Sequence, residues 1–218
     1  MSDLKLVVFD CDGTLVDSQQ IIVDIMQATF ESFGVARPEP VAVKELIGLT
    51  LEKTVLQLVP GLSVQQSNDI AERYRDIFHQ RRRAGAITEP LYPHVVETIK
   101  HLDAVGCVLG IATGKGIKGL HHMLETHGLA SYFTTLQTPD SAPGKPHPGM
   151  LENAMADTGA RPVDTVLVGD TTFDMEMAGN AGVRAIGVDW GYHRPNALSA
   201  AGADVIISSL TALNALGR

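Results

Sequence analysis

From about residue 91 onwards, short apolar runs rich in β-branched residues alternate with segments of helical periodicity. Helices are read at residues 91–104, 117–127, 148–158, 173–180, 196–201 and 210–216. Strands are read at 107–113, 133–137, 165–168, 185–188 and 204–207. A parallel strand can only be reached through a crossover, so alternation of this kind builds βαβ units. Strands that are apolar almost throughout imply a sheet covered on both faces. The expectation is an α/β chain with a doubly wound, Rossmann-like parallel sheet at its core.

One further strand precedes this series. Val7-Val8-Phe9 runs straight into Asp10-Cys11-Asp12-Gly13-Thr14-Leu15. From there to Gly85 no strand pattern appears. Ile21, Ile22, Ile25, Met26, Thr29, Phe30 and Phe33 instead mark one apolar stripe at helical spacing. Further helices are read at 41–47, 51–58 and 64–83. Residues 17–85 are therefore expected to form a small helical domain, inserted into a core made of residues 1–16 and 86–218.

The formal net charge of −8 argues against nucleic acid or an anionic membrane as a partner, since both reward clustered Lys and Arg. No apolar run reaches the ~20 residues of a spanning helix. The first residues, Met1 to Lys5, show no secretory pattern. The two cysteines, Cys11 and Cys107, both fall in predicted strands and suggest no disulfide framework. A cytoplasmic protein is expected, as a monomer or a homodimer. Any anionic substrate must be met by cations, or a metal ion, gathered locally.

In an open parallel sheet, ligands bind at the carboxyl ends of the strands. The first strand delivers Asp10 and Asp12 there, on the same side because side chains alternate. Two acids that close need a cation, a shared proton or divided roles. The strand at 107–113 delivers Thr113, then Gly114 and Lys115. Lys145 lies in a Gly-Lys-Pro turn before a helix, and the strand at 165–168 is followed by Asp170 and Asp174. Taken singly, Thr113 is equally a helix cap, Lys145 a solvated cation and Asp174 a residue favoured at a helix N-terminus. Together they suggest an all-oxygen site for Mg²⁺, which prefers hard ligands. No His/Cys cluster at zinc spacing competes. Backbone amides beside Gly13 and Gly114, with a lysine and a threonine hydroxyl, can hold phosphate oxygens.

In order and spacing, Asp10-Cys11-Asp12-Gly13-Thr14-Leu15-Val16-Asp17-Ser18, Thr113-Gly114, Lys145-Pro146 and Gly169-Asp170-Thr171-Thr172-Phe173-Asp174 resemble the four motifs of the haloacid dehalogenase (HAD) superfamily. The resemblance runs over nearly the whole chain, is strongest to the phosphoglycolate-phosphatase-like branch, and implies that the helical insertion is a C1-type cap. It further implies Asp10 as nucleophile and Mg²⁺ ligand. Asp12 is then the general acid/base, its backbone carbonyl on the metal. Thr113, Gly114 and Lys145 hold the transferred phosphoryl group with Gly13; Asp170 ligates the metal, and Asp174 holds the metal's water or Lys145. Dehalogenases lack an acid at the Asp12 position, so its presence implies phosphate-ester transfer.

The implied activity is a Mg²⁺-dependent phosphatase acting on a small phosphorylated metabolite through an aspartyl phosphate, with 2-phosphoglycolate as the first substrate to try. Alternatives are a β-phosphoglucomutase-type phosphomutase, a nucleotidase or pyrophosphatase of the same superfamily, and a catalytically silent protein binding a phosphometabolite or partner. Gly48, Thr50 and Lys53 resemble the loop such caps lower over the site, and equally suit an ordinary helix–helix turn. Arg81-Arg82-Arg83 reads as a solvated face, while Trp190 and Tyr192 either line the pocket or pack a loop.

Overall fold

The computed structural model describes residues 5–216, so residues 1–4 of the expected core segment lie outside it. Six strands form one parallel sheet: β1 (Leu6–Phe9), β2 (Val108–Ala112), β3 (Phe133–Gln137), β4 (Thr165–Gly169), β5 (Arg184–Val188) and β6 (Val205–Ile207). Their order, β3-β2-β1-β4-β5-β6, places β1 at the centre, where the winding reverses. A crevice forms at the strand ends beside such a reversal.

All four residues of β1 are buried, which explains its unbroken apolar run. Val7 and Phe9 face one side, packing with Val95 and Ile99 of α5 (Val95–Ala104) and Leu120 of α6 (Ile117–Thr126). Leu6 and Val8 face the other, among Met150 and Ala154 of α7 (Gly149–Thr158) and Met175 and Ala178 of α8 (Thr172–Ala181). Each fully buried side chain of this size contributes roughly 1.5–3 kcal/mol by leaving water. A short α9 (Pro195–Ala200) leads to the edge strand β6.

Between β1 and α5 the chain makes four helices: α1 (Gln19–Ser32), α2 (Pro40–Lys44), α3 (Leu51–Leu58) and α4 (Val64–Arg83). Val23, Met26 and Phe30 of α1 meet Val43, Val55 and Ile70 of the other three in an apolar cluster of their own. Ser63 begins α4 with a capping box: its hydroxyl accepts from Gln66 N at 3.2 Å, and Ser63 N donates to Gln66 Oε1 at 2.9 Å. The segments entering and leaving this helical insertion run side by side. Asp17 N donates to Pro90 O at 2.8 Å and Tyr92 N to Leu15 O at 2.9 Å.

Several local expectations need correction. α5 starts at Val95 rather than at residue 91, because Leu91 bridges to Val16 and His94 has a φ of 66°. α2 ends at Lys44, where the chain turns toward Gly48. The closing element is a 3₁₀ helix, Leu210–Ala215. Phe33, at the end of the α1 stripe, is 45% exposed. Cys11 and Cys107 are buried and free as expected, but flank β1 and β2 instead of lying in them. Among the described residues no helix is long and apolar enough to cross a membrane.

Candidate active site

The carboxyl ends of β1, β2 and β4 deliver the acids and the threonine to one place. Asp10 stays in register with β4, its N–H donating to Val168 O at 2.8 Å. Asp170 follows β4 directly, and Asp174 sits in the first turn of α8. One carboxylate oxygen from each of Asp10, Asp170 and Asp174 lies within 4.8 Å of the others, and all three residues are buried. Lys145, wholly buried, is their counter-charge: its Nζ stands 2.7 Å from Asp10 Oδ1 and 2.6 Å from Asp174 Oδ1. These contacts are ion pairs, and among the described residues Asp10 Oδ2 has no hydrogen-bond partner.

One cation among three acids leaves excess negative charge. Burial, then Asp174 and Asp12, push the Asp10 carboxyl up to about 7 against the pull of Lys145. Burial pushes Asp170 up as well, followed by the charges of Asp10 and Asp174. Burial works against the Lys145 ammonium, yet Asp10 and Asp174 prevail and hold its pKa above the usual lysine range. Fixed donors orient the two remaining acids. Thr14 Oγ1 and Tyr192 N donate to Asp170 at 2.8 and 2.9 Å, and Thr171 Oγ1 and N donate to Asp174 Oδ2 at 2.6 and 3.1 Å. An uncoordinated carboxylate oxygen amid a buried all-oxygen set suits a hard divalent cation, so the residues fit a metal ion.

Asp12 stands apart from that cluster. Its Oδ1 accepts from Ser18 Oγ at 2.5 Å and meets Lys115 Nζ at 2.9 Å. Lys115 also pairs with Glu89 at 2.7 Å, and lies 5.8 Å from the Phe78 ring centroid. Neither Lys115 nor Glu89 carried an expected role. Twenty-six positions separate them, and nothing local in the sequence announces the pair.

The remaining expected residues divide. Gly13 has a φ of 89°, and a Cβ there would stand 2.2 Å from Asp170 Oδ2, so only glycine fits. Thr113 is buried and its Oγ1 accepts from Lys115 N at 3.2 Å. Gly114 lies directly under the turn at Gly48: a Cβ on it would be 2.8 Å from Leu49 O and 2.9 Å from Gly48 O. Thr50 rests against Gly144, in the turn before Lys145. Lys53 does not join them. It is exposed on α3 and is not among the residues lining the cavity, because α3 turns Leu51, Thr54 and Val55 inward instead. Trp190 packs against Tyr92 and donates to Thr14 O at 3.3 Å, and Tyr192 O–H meets Ser18 Oγ at 3.2 Å; both brace the site from outside the cavity. Arg81, Arg82 and Arg83 do not line it either.

A cavity of about 370 Å³ lies between this sheet edge and the helical insertion. Asp10, Asp12, Thr113 and Gly114 line it on one side, Gly48 and Thr50 on the other. Of the acids, Asp10 and Asp12 face this space, and Asp10 joins it to the buried Asp170, Asp174 and Lys145 behind.

Known proteins show the same arrangement of chain. A family model described as haloacid dehalogenase-like hydrolase matches residues 7–188. A Dickeya dadantii protein named as the probable phosphatase IndB is 37% identical over 209 residues, covering 94% of this chain and 90% of its own. A phosphoglycolate phosphatase of Vibrio vulnificus is 33% identical over 221 residues, covering 97% and 95%. The solved structure of a haloacid dehalogenase-like family hydrolase from Streptococcus pneumoniae, 24% identical, superposes with a TM-score of 0.84 over 100% of both chains.

Proposed function

Because the chain belongs to the haloacid dehalogenase-like hydrolases, we propose that it is a Mg²⁺-dependent phosphatase that hydrolyses a small phosphomonoester through an aspartyl phosphate. Residues 17–85 act as a cap over the core formed by residues 1–16 and 86–218. The observation that carries this reading is the buried trio of Asp10, Asp170 and Asp174, with Lys145 the one cation paired to it among the described residues.

Asp10 attacks phosphorus; the new O–P bond forms as the bond to the leaving alcohol breaks. Asp12, held by Ser18 and Lys115, gives its proton to the departing oxygen. Water then attacks the aspartyl phosphate, Asp12 takes a proton from that water, and the Asp10–phosphorus bond breaks to release phosphate. Splitting the transfer in two lowers each barrier. Lys145, Thr113 and the Gly114 amide hold the phosphoryl oxygens. Asp10, Asp170 and the Asp12 carbonyl would hold Mg²⁺, which would supply the positive charge that lets these acids stay ionised beside a phosphate. The decisive experiment measures phosphate released from a panel of small phosphomonoesters, p-nitrophenyl phosphate included. Release with Mg²⁺, abolished by EDTA, supports the proposal, and no Mg²⁺-dependent release from any of them defeats it.

The acid cluster predicts how metal and pH interact in stability. A carboxyl whose folded pKa is raised stabilises the protein below its ordinary pKa, near 4, and that contribution is lost as pH rises through the folded value, about 7 for Asp10. Metal-free protein therefore loses stability between pH 4 and 8, on the order of a few kcal/mol. A cation binding the ionised cluster restores it. The Mg²⁺-induced rise in Tm is expected to be several-fold larger at pH 8 than at pH 5, as thermal unfolding will show; equal shifts contradict the assignment.

Gly114→Ala tests the cap contact. The added methyl meets the Leu49 carbonyl at 2.8 Å, a distance Cβ atoms do not tolerate, so the Gly48–Thr50 loop must lift. With Tm retained, kcat/KM is expected to fall about 10²-fold, since misplacement of order 1 Å costs that much. Unaltered kinetics would show that the loop is dispensable.

A further inference from the structure

The cavity reaches from Asp10 well into the helical insertion. Two helices line that part with pairs four residues apart, which share a helix face: Ile22 and Met26 from α1, Tyr74 and Phe78 from α4. These walls are apolar and aromatic, and two of the cations beside them are already engaged. Lys115 is paired with Asp12 and Glu89. Arg75 is paired with Glu52. His79 is held below its ordinary range by burial and then by Arg82 and Lys118. Lys118 and Asp140 also line the cavity, and Lys118 is exposed. A leaving group that carries a carboxylate meets paired cations and an apolar wall there, with nothing buried to receive its charge.

Tyr74 offers the opposite. Burial holds its phenol protonated, well above the usual range, and the charges that act on it next are Lys115, Asp12 and Glu89. Tyr74 lines the same cavity as Lys115 and Asp12. Tyr74 is half-buried, and among the described residues no hydrogen bond engages its hydroxyl. It is a donor waiting for an acceptor. The space is also far larger than a two-carbon acid requires; cavities of this size, about 370 Å³, hold ring-bearing ligands.

Resting on the phosphatase reading above, we infer that the preferred substrate is the phosphate ester of a neutral alcohol bearing a planar ring, the chemistry of a nucleoside monophosphate. Its ring seats against Phe78 and Ile22, and Tyr74 donates a hydrogen bond to it. A sugar phosphate lacks the apolar face that these walls would cover, and a phosphorylated hydroxy acid lacks both ring and neutrality.

The test compares kcat/KM for uridine and adenosine 5′-monophosphate with that for ribose 5-phosphate and 2-phosphoglycolate, with p-nitrophenyl phosphate alongside. At least one nucleotide is expected to exceed both non-aromatic esters by about tenfold or more, as base–aromatic stacking allows. Tyr74→Phe, which keeps the ring and removes only the hydroxyl, is expected to raise KM for that nucleotide about fivefold with kcat nearly unchanged, the signature of lost binding. Phe78→Leu is expected to act in the same direction. Turnover of p-nitrophenyl phosphate with ribose 5-phosphate or 2-phosphoglycolate preferred over both nucleotides overturns this inference and leaves the phosphatase intact. An unchanged KM in both variants overturns it too. Absence of phosphate release from every ester overturns the phosphatase reading and this inference together.

Discussion

Asp10→Asn is expected to lower kcat by at least about four orders of magnitude, the scale seen when a member of a catalytic constellation is replaced. An amide oxygen is a poor nucleophile for phosphorus, and no other carboxylate occupies its position at the end of β1. The same substitution is expected to make the metal-free protein more stable at pH 8. Asp10 is fully buried, and its acid is pushed up to about 7, so in the folded state the charged form is disfavoured relative to solvent. A neutral side chain of the same shape removes that penalty, and Lys145 keeps Asp174 at 2.6 Å. With saturating Mg²⁺ the order should reverse, because the variant has lost a ligand and gains less from the ion. Phosphate-release kinetics and thermal unfolding with and without Mg²⁺ measure both halves. Residual activity within tenfold of wild type would remove Asp10 from the role of nucleophile.

That crowding of charge was legible in the sequence to the extent that it obeys local rules. Asp10 and Asp12 follow an apolar run by strand alternation, and Asp170 closes β4 in the same manner, so their convergence follows from a parallel sheet once its strands are read. Thr113 and Gly114 are positioned by β2, and Lys145 by the turn ahead of α7. Lys53 shows where proximity in sequence misleads: three residues beyond Thr50, a helix has carried the side chain round to the solvent face of α3. Glu89, Lys115 and Tyr192 show the other limit. Glu89 reaches Asp12 only through Lys115, and Tyr192 reaches Ser18 across 174 positions. Such contacts depend on how the returning chain crosses the first strand, which no periodicity encodes. Nor does α5 begin where its pattern does, because pairing of Leu91 with Val16 takes precedence over helix propensity.

Lys145→Met should separate the electrostatic role of the lysine from its bulk. Methionine fills much the same volume, so little cavity is left behind and the effect reports the missing charge. Asp10, Asp170 and Asp174, at most 1% exposed, then face one another with no cation. Removing one partner from a buried pair typically costs about 3–5 kcal/mol, because the remaining charge can be neither solvated nor matched. The deficit is expected in full in EDTA at pH 8 and should shrink toward pH 5, where protons take the place of the lysine. Mg²⁺ should recover part of it, since a divalent ion supplies charge to the same oxygens. Activity should not recover in parallel: in the proposed reaction the lysine also holds the phosphoryl group, and losing a preorganised donor of that kind costs about 10²–10³ in kcat. Urea unfolding at the two pH values, in EDTA and in Mg²⁺, with phosphate-release kinetics alongside, measures each part. A deficit under about 1 kcal/mol at pH 8 in EDTA would mean that the three acids are not held charged together. The electrostatic basis for placing a cation among them would then be gone.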